Sequence, residues 1–210
     1  GSVIRCGGDG NGIAAKLVNN MMLLIDVMAC AEGSQLAASL GLDAQTFWEV
    51  ANVSSGGSWP QAKWYPVPGV VPTAAANFNF DASFSGNLAR KDIALAVQAG
   101  DDTGVKLPAA ALALSQLDRL IDEGLGEKDC TLVTKYATAD GTLAGYDPAL
   151  DERRCPTDPA DAVPGERRAG PPRPARWLGS HQEETWLLHD FTADRSTGRS
   201  SLLIPRSMTA

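Results

Sequence analysis

The first 146 residues contain no histidine, and the 64 that follow contain no lysine. His181 and His189 both lie in that second stretch, so no imidazole is available in the first to act as acid, base or metal ligand. The four cysteines, Cys6, Cys30, Cys130 and Cys155, form no CxxC pair and stand far apart. Neither a zinc site nor a disulfide framework is signalled, no metal is expected, and reduced thiols are the default. Positive charge is scarce: the formal net charge is −7, which argues against nucleic-acid or acidic-membrane partners, since both require a basic face. The N-terminus lacks a charged region followed by an apolar one, so no signal peptide is read there. The longest apolar run, Met21 to Ala31, is interrupted by Asp26 and falls short of the roughly 20 residues that span a bilayer.

What is present divides into two compositions. Residues 1–146 hold six Lys, three Arg and fifteen acidic residues; residues 147–210 hold nine Arg and ten acidic residues. Between Asp151 and Arg176 there are six Pro and six Arg in 26 residues. Such a segment buries too little apolar surface to offset its ordering entropy. The folded domain is therefore expected to be 1–146. Residues 147–210 read as a Pro/Arg-rich tail, disordered or aberrant, with the composition of an out-of-frame or fused extension.

Hydrophobic content of 44% suffices for a packed core. Residues 13–40 contain no proline and one internal glycine, Gly33, with apolar residues on nearly every face. They predict one long helix buried on several sides, reaching roughly 42 Å at 1.5 Å per residue. Asp43 is placed to cap AQTFWEVANV, with Phe47, Val50 and Ala51 inward. SSGGSW and YPVPGVVP read as loops. Ser85 can cap a helix over 87–99, and Pro108 suits the first turn of the next, which Gly124 ends. Asp129 can cap a last short helix to Tyr136. Strand signals are confined to VIR at the start and LLI at 202–204. An all-α core follows.

The glycine turn before the long helix carries the first candidate site. Gly10-x-Gly12-x-x-Ala15 satisfies the loose dinucleotide fingerprint, but that pattern requires a second strand where the long helix lies. A phosphate P-loop fails because Leu17, not Ser or Thr, follows Lys16. A helix start with small residues for close packing and an exposed lysine is the plain alternative. Yet Lys16 and Asn20 are four apart and stack on one helix face, at the start of the most apolar helix. Desolvation and the positive end of the helix dipole favour a neutral amine there, the state required of a base. A second constellation, ASFSGNLARKDIALA, sets Lys91 and Asp92 beside an apolar stripe; on its own it reads first as a surface ion pair on a solvated face. Trp59, after a Gly-Gly-Ser turn, is the tryptophan best placed to reach a pocket.

Three segments, in order, resemble the β-hydroxyacid dehydrogenase family, and within it the 3-hydroxyisobutyrate dehydrogenases. GSVIRCGGDGNGIAAKLVNNMML is similar to that family's G-x-G-x-x-x-K-x-x-N-N motif. ANVSSGGSWPQAKWYPVPGV resembles its serine-glycine-tryptophan loop, and FSGNLARKDIALA its phenylalanine and Lys-Asp helix. Asn19 stands where the decarboxylating 6-phosphogluconate branch has histidine. The resemblance implies an all-α helical bundle round one long buried helix, like the C-terminal domain of 6-phosphogluconate-dehydrogenase-type enzymes, with 1–146 as the substrate and dimerisation domain. It implies Lys16 as the catalytic acid/base, with Asn20, Gly12, Trp59 and Phe84 binding substrate. Lys91 would reach the cofactor, NAD or NADP, with Asp92 orienting it. The implied reaction is oxidation of a small 3-hydroxy acid, 3-hydroxyisobutyrate in valine catabolism, with serine or tartronate semialdehyde as related substrates and a non-catalytic dimerisation module as the alternative from another class. A homo-oligomer in the cytoplasm, or in the mitochondrial matrix of a eukaryote, is implied too. The family's N-terminal Rossmann domain has no counterpart in these 210 residues, so the isolated chain is expected to be inactive.

Overall fold

The computed structural model describes residues 2–152 and 201–204. These contain a strand β1 (Ser2–Arg5), helices α1 (Asn11–Ser39), α2 (Ala44–Asn52), α3 (Trp59–Lys63), α4 (Gly86–Thr103), α5 (Pro108–Asp122) and α6 (Pro148–Glu152), and a strand β2 (Ser201–Ile204). Two 3-10 segments, Ala75–Phe78 and Cys130–Ala137, complete the order. The described residues are thus mostly helical, with almost no strand.

The chain divides into two compact units. In the one that contains residues 1–16, β1 and β2 pair antiparallel, Ser2 opposite Ile204 and Arg5 opposite Ser201. The other unit, Leu17–Asp151, holds the helical core. Its end lies five residues beyond the expected boundary at Tyr146, because α6 is tied down. Asn79 Nδ2 donates to the Asp147 carbonyl (3.2 Å) and to Asp151 Oδ1 (3.1 Å), and Lys128 forms an ion pair with Asp151. Residues 201–204 of the tail form β2, and the rest of the tail reading, over 153–200 and 205–210, lies outside the described residues.

α1 is two-sided. Asn20, Leu23, Leu24, Val27, Cys30, Ala31, Ser34 and Ala37 are buried, recurring at the three- and four-residue spacing of one helix face. The opposite side carries Val18, Met22, Leu36 and Leu40, each more than half exposed. The expectation of a helix buried on several sides is therefore corrected. Apolar residues surround α1, but the described residues cover one side of it. The most apolar 18-residue window of α1 has a mean hydropathy of 1.6. By length and composition alone it could cross a bilayer, which the shorter run Met21–Ala31 did not reveal. Its buried face, however, carries the polar Asn20 and Ser34, as the core helix of a folded domain does.

The caps on α2 and α4 form as expected. Asp43 Oδ1 accepts from the Thr46 amide (2.9 Å), and Ser85 Oγ from the Leu88 amide (3.4 Å). In α2, Ala51 is buried while Val50 points outward at 54% exposure, contrary to the expected inward trio. The SSGGSW segment ends in a short helix and not in a loop. Ser58 Oγ accepts from the Gln61 amide (3.3 Å), and Pro60 occupies the first turn, where its missing N–H costs nothing. Behind α3, Tyr65 packs with Val71 and Ala74, flanked by Phe47 and Trp48.

Ala89, Ile93, Ala96 and Gly100 of α4 face Ala110, Ala113, Leu117 and Leu120 of α5 as buried stripes. Glycine permits the close crossing: a Cβ on Gly100 would stand 2.7 Å from a Leu107 methyl. After α5 the chain turns at Gly124 (φ +77°), and Asp129 caps the segment Cys130–Ala137. Asn79 and Phe80, neither a glycine, have φ of +52° and +55° in succession, and Phe80 is fully buried.

Candidate active site

Two sequence motifs 72 residues apart meet where α1 passes α4. Asn20, 3% exposed, donates from Nδ2 to Asp92 Oδ2 at 2.8 Å. The other carboxylate oxygen of Asp92 faces the Lys91 ammonium at 3.2 Å, and Lys91 itself is 61% exposed. Asn20 Oδ1 accepts from Asn19 Nδ2 (3.3 Å). A buried carboxamide is thus linked through one carboxylate to an exposed ammonium. The surface-pair reading of Lys91 and Asp92 is half right: Lys91 is exposed, but Asp92 is 15% exposed and bonded inward. Such a carboxylate fixes both neighbours, since charge-assisted hydrogen bonds are the stronger kind.

An aromatic group stands on α3 and at the start of α4. The Trp59 and Trp64 rings lie edge to face with centroids 4.8 Å apart, and Trp64 lies 6.2 Å from the buried Phe84. Trp59 and Phe84 are therefore joined through Trp64. Phe84 is held from behind by Asp129, whose Oδ2 accepts from the Phe84 amide (3.1 Å) and from Ser83 N and Oγ (2.9 Å each).

Lys16 lies on α1 one turn ahead of Asn20 and is partly buried. Among the described residues no hydrogen bond or ion pair engages its ammonium. Gly12 is buried in the first turn of α1, and Gly10 precedes the helix at φ +83° with its carbonyl accepting from the Ala14 amide (3.0 Å). Two neighbours of the expected site residues join these contacts. Trp64 completes the aromatic group, and its five-residue spacing from Trp59 across a one-turn helix was the available signal. Asn19 supports Asn20, and only its adjacency pointed to it.

Residues 10–137 match a family described as the NAD-binding region of NADP-dependent 3-hydroxyisobutyrate dehydrogenase. The chain belongs to this family. Among curated relatives, the mitochondrial 3-hydroxyisobutyrate dehydrogenase of Drosophila melanogaster is 41% identical over 131 residues, 62% of this chain and 40% of that protein. The NAD-dependent L-serine dehydrogenase of Pseudomonas aeruginosa is 34% identical over 134 residues, 64% of this chain and 45% of that one. A solved structure of Mycobacterium tuberculosis 3-hydroxyisobutyrate dehydrogenase with L-serine superposes with a TM-score of 0.62 at 37% identity, covering 65% of this chain and 46% of that chain. The chain therefore spans less than half the length of these relatives. The family description assigns the matched region to NAD binding, a wider cofactor role than the Lys91 and Asp92 contacts expected of a substrate and dimerisation domain. The described residues of that region nonetheless contain no parallel sheet, so any dinucleotide contact made here comes from helices and turns.

Proposed function

We propose that residues 11–151 are the helical, C-terminal half of an NAD(P)-dependent 3-hydroxyacid dehydrogenase, built as a bundle round α1. The bond between Asn20 and Asp92 carries this reading. It joins Asn20 of the first motif to Asp92 of the Lys-Asp motif, which supports the two serving one active site. Six helices and two short antiparallel strands among the described residues fit a helical half and not a Rossmann half.

In the proposed reaction, NAD(P) supplies the hydride acceptor for the carbinol carbon. Lys16 accepts the alcohol proton during oxidation and returns it to the carbonyl oxygen during reduction. Asn20, pinned by Asp92, offers its second N–H to the substrate hydroxyl or carboxylate. Gly12 allows close backbone approach, and Trp59 and Phe84 wall the substrate pocket. Lys91, exposed beyond Asp92, is the group that meets the dinucleotide; this role fits its outward ammonium. The substrate we favour is 3-hydroxyisobutyrate, which would place the reaction in valine catabolism. The serine-bound mycobacterial relative and the L-serine dehydrogenase support serine as the second substrate. The word mitochondrial in the eukaryotic relatives' names supports a mitochondrial location for a eukaryotic source, for which we favour the matrix; for a bacterial source we favour the cytoplasm.

A dinucleotide-binding sheet, which the described residues do not form, is required for turnover in this scheme, so the described residues alone are not expected to turn over. The test is complementation. A separately expressed Rossmann half from a relative, mixed with this chain, should restore NAD-dependent oxidation, and Lys16→Ala should abolish it with helical content unchanged. Restored activity that survives Lys16→Ala would refute the assignment. The exposed apolar stripe Val18, Met22, Leu36 and Leu40 favours a second reading, a helical module that self-associates without catalysis. Under that reading, mixing yields oligomers and no turnover.

A further inference from the structure

The glycine turn ahead of α1 holds chemistry that the proposed reaction does not use. Three pairs in the sequence set glycine directly after aspartate or asparagine: Asp9–Gly10, Asn11–Gly12 and Asp140–Gly141. In such a pair the glycine amide has no neighbouring Cβ to shield it, so its nitrogen can attack the carbonyl carbon of the preceding side chain. The fold treats the three pairs differently.

Asp9 and Gly10 are the middle residues of a turn closed by the Asn11 amide, which donates to the Gly8 carbonyl at 3.2 Å. Both are exposed, and a Cβ placed on Gly10 would meet nothing within 4 Å. Among the described residues no hydrogen bond or ion pair engages the Asp9 carboxylate or the Gly10 amide. Asn11, by contrast, is tied: its Nδ2 donates to the Cys6 carbonyl at 3.1 Å, and Gly12 is buried in the first turn of α1. Asp140 is exposed, but its Oδ1 accepts from the Thr142 amide at 2.9 Å, a bond that must break before Gly141 can attack.

We propose that Asp9–Gly10 is a site of spontaneous isoaspartate formation, selected over the other two pairs by the fold. The Gly10 nitrogen bonds to the Asp9 side-chain carbonyl carbon, and the carboxyl hydroxyl leaves with the amide proton as water. Water then adds back and opens the resulting five-membered succinimide at either carbonyl. One opening restores aspartate. The other leaves the main chain running through the Asp9 side chain, one methylene longer, with the α-carboxyl free. Nothing is oxidised or reduced, and the charge is unchanged. The extra carbon falls inside the Gly8–Asn11 turn, so the modification alters the segment that starts α1.

The experiment ages the full chain in mildly acidic buffer (about pH 6), native and in guanidinium chloride. Electron-transfer fragmentation of its peptides separates aspartate from isoaspartate, and an isoaspartate-specific carboxyl methyltransferase with labelled methyl donor counts the total. In the native chain, conversion at residue 9 should outpace that at residue 140 by roughly three- to tenfold, the factor one ordinary hydrogen bond is worth. Asn11 should remain an amide. In denaturant the preference for residue 9 should vanish, with Asn11 reacting at least as fast. Asp9→Glu, which would have to close a six-membered ring, should remove most of the native methyl-accepting signal. Equal native rates at 9 and 140, native loss of the Asn11 amide ahead of Asp9 conversion, the same order of rates in denaturant, or an unchanged signal in Asp9→Glu would each overturn the proposal.

Discussion

Replacing Asp129 tests how the aromatic edge of the candidate site is held. Its carboxylate is 1% exposed and accepts five hydrogen bonds. Three come from the backbone amides of Ser83, Phe84 and Thr131, and two from the hydroxyls of Ser83 and Thr131. In Asp129→Ala, the hydroxyls can turn to other acceptors, but the Phe84 and Thr131 amides are left in buried surroundings. A buried donor stripped of its partner costs roughly 1–3 kcal/mol. Two such donors, one of them the Thr131 amide through which Asp129 caps the following 3-10 segment, amount to about 3–5 kcal/mol, against the roughly 5–15 kcal/mol that holds an ordinary domain together. At about 2–4 °C per kcal/mol for a domain of this size, Tm should fall by roughly 6–20 °C. Asp129→Asn, which keeps one carbonyl acceptor, should lose about half as much. Thermal unfolding followed by far-ultraviolet circular dichroism, checked by urea titration, measures both. A fall of less than about 3 °C for Asp129→Ala, or equal losses for Ala and Asn, would refute the view that this carboxylate pins the 83–84 turn.

Other consequences are open to simple measurement. Gly145 has φ +83° and sits against the Ala76 carbonyl and the Pro68 ring, whereas Gly10 has the same φ and open space around it. Gly145→Ala should therefore cost more than Gly10→Ala, whose penalty is only the roughly 1–2 kcal/mol of a left-handed residue; equal losses in urea titration would contradict this. Burial raises the Cys30 thiol to about 11 and the Cys130 thiol well above its ordinary value, so iodoacetamide at pH 8 should spare both in the native chain and label the partly exposed Cys6, as peptide mapping will show. A hydrogen bond from Lys135 holds the Glu123 carboxyl below its usual 4.5. A depressed carboxyl contributes stability that is present above its unfolded pKa and lost as pH falls through the folded one. Glu123→Gln should therefore flatten the acid limb of the stability profile below about pH 5 and leave its slope at neutral pH unchanged.

Much of the helical order was legible because it rests on local chemistry. Asp43, Ser85, Pro108 and Asp129 each mark a start through a bond or a missing N–H that needs only neighbouring residues. Gly124 marks a stop for the same reason. Two strand signals, VIR and LLI, were visible, but their pairing joins opposite ends of the chain and leaves no local trace. α3 escaped because the serine and glycine before Trp59 are loop formers, and its cap Ser58 is one serine among several. The sidedness of α1 was also hidden, since apolar residues on every face do not say which face this chain covers. At the site, the separate motifs were readable, but the bond from Asn20 to Asp92 depends on the crossing of α1 and α4. Trp64 took its place for a similar reason, once α3 set its ring between two others.

The successive left-handed residues Asn79 and Phe80 leave that corner little room for improvement by mutation. Glycine at position 80 would relax the main chain by about 1–2 kcal/mol, yet vacating the space of a fully enclosed ring costs roughly 3–5 kcal/mol. Asparagine at 79 is equally constrained, because its carboxamide anchors the Asp147 amide and carbonyl that lead into α6. Each position answers to two opposed demands, so a saturation library across this turn should return the starting pair as its best member.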